Sequence, residues 1–194
     1  MALISGGRGP ARNARGIVFV EFALVLLLLI LIALGTIDYG RLIQQRLVLT
    51  NVCREGGSIA SRQSSVDPAL MTMLAASASP LALDGADGRI YVTRISAGTS
   101  STSRRPTITT QLSRGGLAVP SQIGTGQSNL GLTSTIYNHL IFDSAQGVSD
   151  ITDVTVVEVY YRYRPITPIG NFPEMSGVLT RDGEGLIISS RAVF

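Results

Sequence analysis

The sequence has no lysine and no tryptophan, and it has only one histidine and one cysteine. The single cysteine, Cys53, excludes an internal disulfide, and no CxxC or Cys/His cluster is present to bind a metal. His139 has no GxSxG elbow beside it, and no P-loop or dinucleotide fingerprint occurs. These absences argue against hydrolase, nucleotide-binding and metalloenzyme functions. We therefore expect a protein that is not an enzyme and has no cofactor and no small-molecule substrate.

The positive charge of the chain comes from its first sixteen residues. The formal net charge is +3, from 16 basic and 13 acidic residues, and every basic residue is an arginine. Arg8, Arg12 and Arg15 precede Gly16 with no acid among them, so 16 − 3 leaves 13 arginines against 13 acids in the remainder. The excess of basic over acidic residues lies in a short leader, and it does not predict nucleic-acid binding.

A long apolar run follows the leader. Residues 17–37 read IVFVEFALVLLLLILIALGTI, and Glu21 is their only charge. In a helix, this run spans roughly 31 Å, close to the thickness of the bilayer hydrocarbon. The arginines before it predict a cytoplasmic N-terminus and an exported C-terminal part.

Three interpretations of this run are open. It could be a secretory signal removed after Ala33-Leu34-Gly35, although it is longer than the usual core of such signals. It could be an uncleaved anchor for an unrelated exported module. It could also be a prepilin-type signal, cut between Gly16 and Ile17.

Glu21 favours the prepilin interpretation. A carboxylate in a membrane helix costs about 2.5–3.5 kcal/mol at the bilayer centre and less near the interface, and an ordinary anchor gains nothing from it. After cleavage, the new α-amino group of Ile17 would lie at a similar depth. We hypothesise that Glu21 pairs with that amine on a neighbouring subunit and so sets the register of an assembly.

Three runs of residues carry a resemblance to a known family. They are Arg15-Gly16 with Val20-Glu21-Phe22-Ala23-Leu24-Val25-Leu26, then Asp38-Tyr39-Gly40-Arg41, and finally Asn51-Val52-Cys53-Arg54-Glu55-Gly56-Gly57. In this order, over about residues 15–62, they resemble the TadE-like family of minor pilins or pseudopilins of Tad/Flp-type pilus systems. Val52 and Cys53 stand where that family usually has alanine, and a proline common after the first run is missing.

The resemblance implies a structural component in the assembly of a type IV-related pilus or secretion system. Its implied location is the bacterial inner membrane, with the C-terminal domain exported and able to enter a surface pilus. The implied partners are a prepilin peptidase, other pilus subunits, the inner-membrane assembly platform and the lipid bilayer, without nucleic acid. The alternative is a membrane-tethered adhesin or envelope binding module with an uncleaved signal anchor.

The resemblance also implies a set of site residues. Gly16 and Ile17 would flank the cleaved bond, and Glu21 and Phe22 would act in assembly and registration. The family-motif positions are Asp38, Gly40, Arg41, Asn51, Arg54, Glu55 and Gly56.

We divide the chain into a leader (1–16), a transmembrane helix (17–37), an amphipathic helical extension (38–62) and an exported α+β domain (63–194). In the extension, apolar residues recur at roughly helical spacing and predict a face that packs on the domain: Leu42, Ile43, Leu47, Leu49, Val52 and Cys53. Gly56-Gly57 predicts either a kink or close packing against a sheet.

The predicted fold class is α+β, with a long N-terminal helix packed on a small antiparallel sheet, as in pilins. A short helix is expected over 67–78, with Asp67 as its cap and Pro68 in its first turn. Alternating residues predict strands at 89–95, 107–112, 154–164 and after a turn at Asp182-Gly183 or Glu184-Gly185.

Residues 113–135 are expected to form a long loop, either mobile or a surface excursion, while 136–142 fit helix and strand equally. The half-polar face of strand 154–164 is expected to meet solvent or a loop. Asp84-Gly85-Ala86-Asp87-Gly88 reads as a turn rather than a calcium loop.

Overall fold

A computed structural model describes residues 11–63, 66–124, 128–167 and 185–194, with the backbone alone for residues 11–15. The helices are α1 (Ala11–Arg62), α2 (Pro68–Ser77) and α3 (Ser134–His139). The strands are β1 (Gly88–Ser96), β2 (Thr107–Arg114), β3 (Asp153–Tyr163) and β4 (Leu186–Val193). The predicted α+β class is confirmed, because the long N-terminal helix packs on an antiparallel sheet.

The four strands form one sheet in the order β2-β1-β3-β4, and every neighbouring pair is antiparallel. All four predicted strands are present, each within a few residues of its expected bounds. The most apolar strand, β3, is central and is buried from Val154 to Tyr160. The predicted turn at 182–185 falls outside the described residues, apart from Gly185.

The second half of α1 covers one face of the sheet. Leu49 and Val52 of the helix pack in one apolar cluster with Ile90 and Val92 of β1 and with Val157 and Val159 of β3. Burying a side chain of this size stabilises a fold by about 1.5–3 kcal/mol. This cluster attaches the helix to the domain.

Two residues of the predicted packing face lie on the outside of α1 instead. Ile43 and Leu47 are exposed, whereas Leu42 is half-buried and Leu49, Val52 and Cys53 are buried. The prediction was wrong for Ile43 and Leu47, because positions 42, 49, 53 and 60 follow one helical stripe that 43 and 47 do not share. Together with Tyr39, they form an exposed apolar strip at four-residue spacing, which we call the outer strip (Tyr39, Ile43, Leu47).

The glycine pair of α1 is a point of close packing. A Cβ atom at Gly56 would lie 2.7 Å from a methyl carbon of Leu74 in α2, and one at Gly57 would lie 2.0 Å from the ring of Phe194. The helix continues past both residues to Arg62. Of the two readings of Gly56-Gly57, the structure supports close packing.

The end of α1 is tied to the sheet by Arg94. Its guanidinium donates a hydrogen bond to the carbonyl of Gln63 (2.8 Å) and forms an ion pair with Asp153 at the start of β3. The start of β3 therefore lies beside the C-terminal end of α1. Because β3 runs antiparallel to the helix, its other end returns towards the apolar half of α1.

The half-polar face of β3 is covered by the segment after β2. Of the two expected neighbours of this face, solvent or a loop, the structure shows a loop. Leu117, Ser121 and Ile123 of this segment are buried. The Glu158 carboxylate, also buried, accepts hydrogen bonds from the Ser121 hydroxyl, the Gln122 backbone N–H (3.2 Å) and the Tyr160 hydroxyl (3.2 Å). The described part of the loop at 113–135 is thus packed onto the sheet.

The two short helices follow from local signals. The Asp67 carboxylate accepts a hydrogen bond from the Ala69 N–H (3.0 Å) at the start of α2, which confirms the predicted cap and helix. Residues Ser134–His139 form α3, so the undecided stretch at 136–142 is helical in its first part.

Candidate membrane-anchor and assembly site

The apolar half of α1 has no partner layer among the described residues. Apart from Leu34 and Gly35, which are partly shielded, every residue from Gly16 to Ile37 is exposed. Within the described residues, α1 is the one helix long and apolar enough to cross a membrane. Exposing so many large apolar side chains to water is unfavourable, so this surface fits lipid or another apolar partner.

Glu21 is the only charged residue in this exposed span. It lies four residues, just over one helical turn, after Ile17, so the two residues project from nearly the same side of α1. No hydrogen bond or ion pair joins Glu21 to any side chain from residue 16 onward that the structure describes. Gly16 and Phe22 are exposed on the same helix, and a Cβ atom at Gly16 would meet nothing within 4 Å.

The span ends at a buried carboxylate. Asp38, only 1% exposed, accepts hydrogen bonds from the backbone N–H groups of Ile166 (3.0 Å) and Thr167 (3.3 Å) and from the Thr167 hydroxyl. The Tyr163 hydroxyl donates to the backbone carbonyl of Asp38 (2.9 Å). Asp38 thereby joins the last turn of the span to the segment that leaves β3.

The hydrogen bonds decide the charge state of Asp38. Burial by itself would raise the pKa of its carboxyl, but the bonds from the Thr167 hydroxyl and from the Ile166 and Thr167 N–H groups outweigh it, and the pKa is lowered. Burial and the Asp38 charge raise the pKa of the Tyr163 hydroxyl, while nearby Arg41 acts in the opposite direction. Asp38 is thus an ionised carboxylate held by neutral donors.

Comparison with known proteins bears on this same stretch of helix. The family model described as TadE-like protein matches residues 16–58. The chain carries a TadE-like segment. This confirms the resemblance seen in the sequence for that segment, and it indicates a protein associated with a Tad pilus. No curated protein and no solved structure matches the chain.

The motif positions of the TadE-like segment divide between two surfaces. Asp38 and Gly56 face the domain, where they contact the 166–167 backbone and Leu74 respectively. The remaining motif positions are exposed: Gly40, Arg41, Asn51, Arg54 and Glu55. Two positions therefore serve the fold, and five are available to molecules outside the domain.

Sequence reasoning missed the partners of Asp38 and the Glu158 cluster. Thr167 and Tyr163 lie more than 120 residues from Asp38, and no local pattern connects positions so far apart. For Glu158, a signal was present, because a carboxylate inside the run VTVVEVYY needs hydrogen-bond donors if the strand is central. The donors themselves come from a Gly/Ser/Thr-rich loop without distinctive features.

The remaining candidate groups are structural. Burial raises the pKa of the Cys53 thiol to about 11, and its Sγ atom lies 3.2 Å from the Ser190 carbonyl oxygen, so the side chain acts as a small buried apolar group. His139 is exposed, with Nδ1 2.7 Å from Asp150. Residues 84–87 form turns and a bend ahead of β1, and no group of metal-ligating side chains occurs in the described ranges.

Proposed function

We propose that the chain is a minor pilin or pseudopilin that takes part in assembling a Tad/Flp-type pilus or a related secretion system. The observation that carries this proposal is the unbroken α1. Its exposed apolar span contains one carboxylate, begins where the TadE-like match begins, and leads directly into the helix that packs on the domain. The proposed location is a bacterial inner membrane, crossed once, with residues 63–194 exported as the α+β domain.

The proposed maturation step is cleavage between Gly16 and Ile17 by a prepilin peptidase. It removes the arginine-containing leader, residues 1–16, and creates an α-amino group at Ile17. With a pKa near 7.7–8.0 in model peptides, this amine is largely a cation at neutral pH. Cleavage thus places a positive and a negative group, the Ile17 amine and Glu21, just over one helical turn apart in an apolar span.

Subunit registration is the proposed role of Glu21, with Phe22 beside it on the span. The carboxylate of one subunit pairs with the Ile17 amine of a neighbour, so that each desolvated charge finds its partner only on assembly. A neighbour shifted by one helical turn would leave two unpaired charges in an apolar environment. The pair therefore favours a single axial position.

The outer strip supports contact with further subunits. Tyr39, Ile43 and Leu47 are exposed and continue the apolar surface of the span along α1 for two more turns. Arg54 and Glu55 lie exposed further along the same helix. Their proposed role is to pair with charges on a neighbouring pilus subunit, beyond the apolar strip. The inner-membrane assembly platform is the proposed partner that moves the helix out of the bilayer.

We expect Glu21→Gln to block assembly without preventing export. The substitution removes the negative charge but keeps the size of the side chain, so the amine of the neighbour loses a charge-assisted bond of about 1.5–3 kcal/mol. That energy corresponds to a roughly tenfold or greater loss of the chain from the sheared pilus fraction. The measurement is quantitative immunoblotting of the pilus and membrane fractions.

Glu21→Asp is the matched control, because it keeps the charge and should retain most of the incorporation. Both variants should still lose the leader and remain in the membrane. Wild-type incorporation of the Glu21→Gln protein would contradict the registration role. Absence of the wild-type chain from every pilus and secretion-assembly fraction would favour the membrane-tethered adhesin or binding module.

A further inference from the structure

The segment that leaves β3 lies beside the end of the apolar span. We call it the junction loop, residues 164–167. Its backbone is held by Asp38, the first residue after the span, through the bonds to Ile166 N–H and Thr167 N–H. The loop therefore sits at the level of the helix where the proposed bilayer ends.

The direction of the Asp38 side chain shows which turn of α1 the junction loop lies beside. On an α-helix, each Cα–Cβ bond tilts towards the N-terminus, so a side chain reaches over the preceding turn. The oxygens of Asp38 thus bring the junction loop beside the last turn of the span. Leu34 and Gly35, in that turn, are the first residues of the span that are partly shielded.

The exposed side chains at this level combine apolar and cationic groups. Ile166 is 61% exposed although its backbone N–H is fixed by Asp38, and Tyr39 beside the span is 62% exposed. Arg41 follows on the helix and is also exposed. Arg164 of the junction loop has 63% of its side chain exposed while it pairs with Asp87.

This combination matches the boundary between lipid headgroups and acyl chains. Tyrosine is enriched at that depth because its ring is apolar and its hydroxyl polar. Arginine lays its aliphatic stem along apolar surface and directs its guanidinium to phosphate. An exposed isoleucine gains free energy there by leaving water.

We propose that the junction loop is a lipid-contact site, in which Ile166 enters the headgroup region of a phospholipid bilayer beside Tyr39. Arg41 and Arg164 lie at the phosphate level, and the exported domain is thereby seated directly on the membrane instead of swinging on its helix. This inference rests on the proposed membrane anchor at residues 17–37. The surface of the junction loop is continuous with that anchor, and a phospholipid bilayer is the single partner proposed for it.

The absence of tryptophan from the chain makes this proposal directly measurable. Ile166→Trp introduces a single fluorophore at the junction loop, and the substitution keeps an apolar side chain at an exposed position. The full chain is reconstituted in vesicles of phosphatidylethanolamine and phosphatidylglycerol, with and without lipids brominated near the top of the acyl chains. We expect blue-shifted emission, several-fold less acrylamide quenching than in water, and strong quenching by the brominated lipids.

Two reference variants calibrate the result. Tyr39→Trp lies on the helix directly after the span and reports the interface. Val148→Trp replaces a side chain whose exposure, 58%, is close to that of Ile166. Val148 lies in the segment that precedes β3. That end of the 11-residue β3 lies about 30 Å along the strand from the junction loop. The proposal requires Ile166→Trp to resemble Tyr39→Trp and Val148→Trp to remain accessible to acrylamide.

Emission from Ile166→Trp that matches Val148→Trp, in a chain that floats with the vesicles, would overturn the lipid-contact site and leave the anchor intact. A chain that does not float with vesicles at all would overturn the proposed anchor and this inference together. The near-ultraviolet circular dichroism of each variant, compared with wild type, verifies that the domain is folded.

Discussion

Asp38 shows how one side chain joins the apolar span of α1 to a folded domain. It directly follows Ile37 and is buried. Its carboxylate accepts hydrogen bonds from a segment more than 120 residues later in the sequence. A buried carboxylate without hydrogen-bond donors would destabilise the fold. The hydrogen bonds from Ile166 and Thr167 offset this desolvation cost for Asp38. The motif position thus has a structural reason.

We expect Asp38→Asn to destabilise the α+β domain by about 1–3 kcal/mol, because the hydrogen bonds lose the strengthening of a charged acceptor. The measurement is thermal unfolding of the full chain in detergent micelles, followed by the near-ultraviolet signal of its tyrosines. Asp84→Asn is the control, since that carboxylate is exposed and its ion-pair distance to Arg114 is 3.9 Å. The control should shift the free energy of unfolding by less than about 0.5 kcal/mol.

The same substitution has a defined dependence on pH. The pKa of Asp38 is lower in the folded state than its ordinary value, so the unfolded state binds more protons over the acid range. The Asp38 contribution is therefore complete above the unfolded pKa, near 3.9, and declines as the pH falls through the folded pKa. The gap in stability between wild type and Asp38→Asn should narrow below about pH 4. A gap that stays constant from neutral to acid pH would contradict the ionised role.

At the scale of elements, the attachment of α1 depends on glycine where the helix meets α2. Gly56→Val would bring a Cβ atom within 2.7 Å of the buried Leu74 side chain, and overpacking of this kind costs about 1–3 kcal/mol. Gly40→Val is the matched control on the same helix, because a Cβ atom there meets nothing within 4 Å. Both changes alter helix propensity equally, so the difference in unfolding midpoint isolates the packing. Equal midpoints would show that the α1–α2 contact is loose.

Local patterns were sufficient to predict most elements of the fold. The cap Asp67 with Pro68 specified α2, and the strand-forming runs with their turn signals specified β1 to β4. The helical face was predicted less well, since Ile43 and Leu47 are apolar yet lie outside. Apolar character alone does not distinguish a side chain that packs on its own domain from one left for another surface. The sheet order was not predictable, because it depends on long-range pairing between strands.

At the scale of the whole molecule, the end of β4 and the segment after β3 both return to α1. Phe194 packs on Gly57, and its backbone exchanges two hydrogen bonds with Thr155. The segment after β3 returns to Asp38 at the span. The domain is therefore fixed along the whole of residues 38–62, while residues 17–37 project from it as one exposed apolar rod.

The candidate site was predictable only where it is local in sequence. The run with Gly16, Ile17 and Glu21 was recognisable because span, carboxylate and small residue stand within a few positions. The junction loop was not, since Ile166 and Asp38 become neighbours only through the path of β3. The lipid-contact proposal therefore comes from the fold, whereas the cleavage proposal comes from the sequence and the family match.

The most direct test of the account is the N-terminal residue of the mature protein. The chain is isolated from the membrane fraction of cells with and without the cognate prepilin peptidase, and its terminal peptide is identified by mass spectrometry. The account predicts a chain that begins at Ile17 only when the peptidase is present, and a chain that keeps its leader when it is absent. A leader retained in both cells, or a mature chain that begins at Thr36, would contradict it.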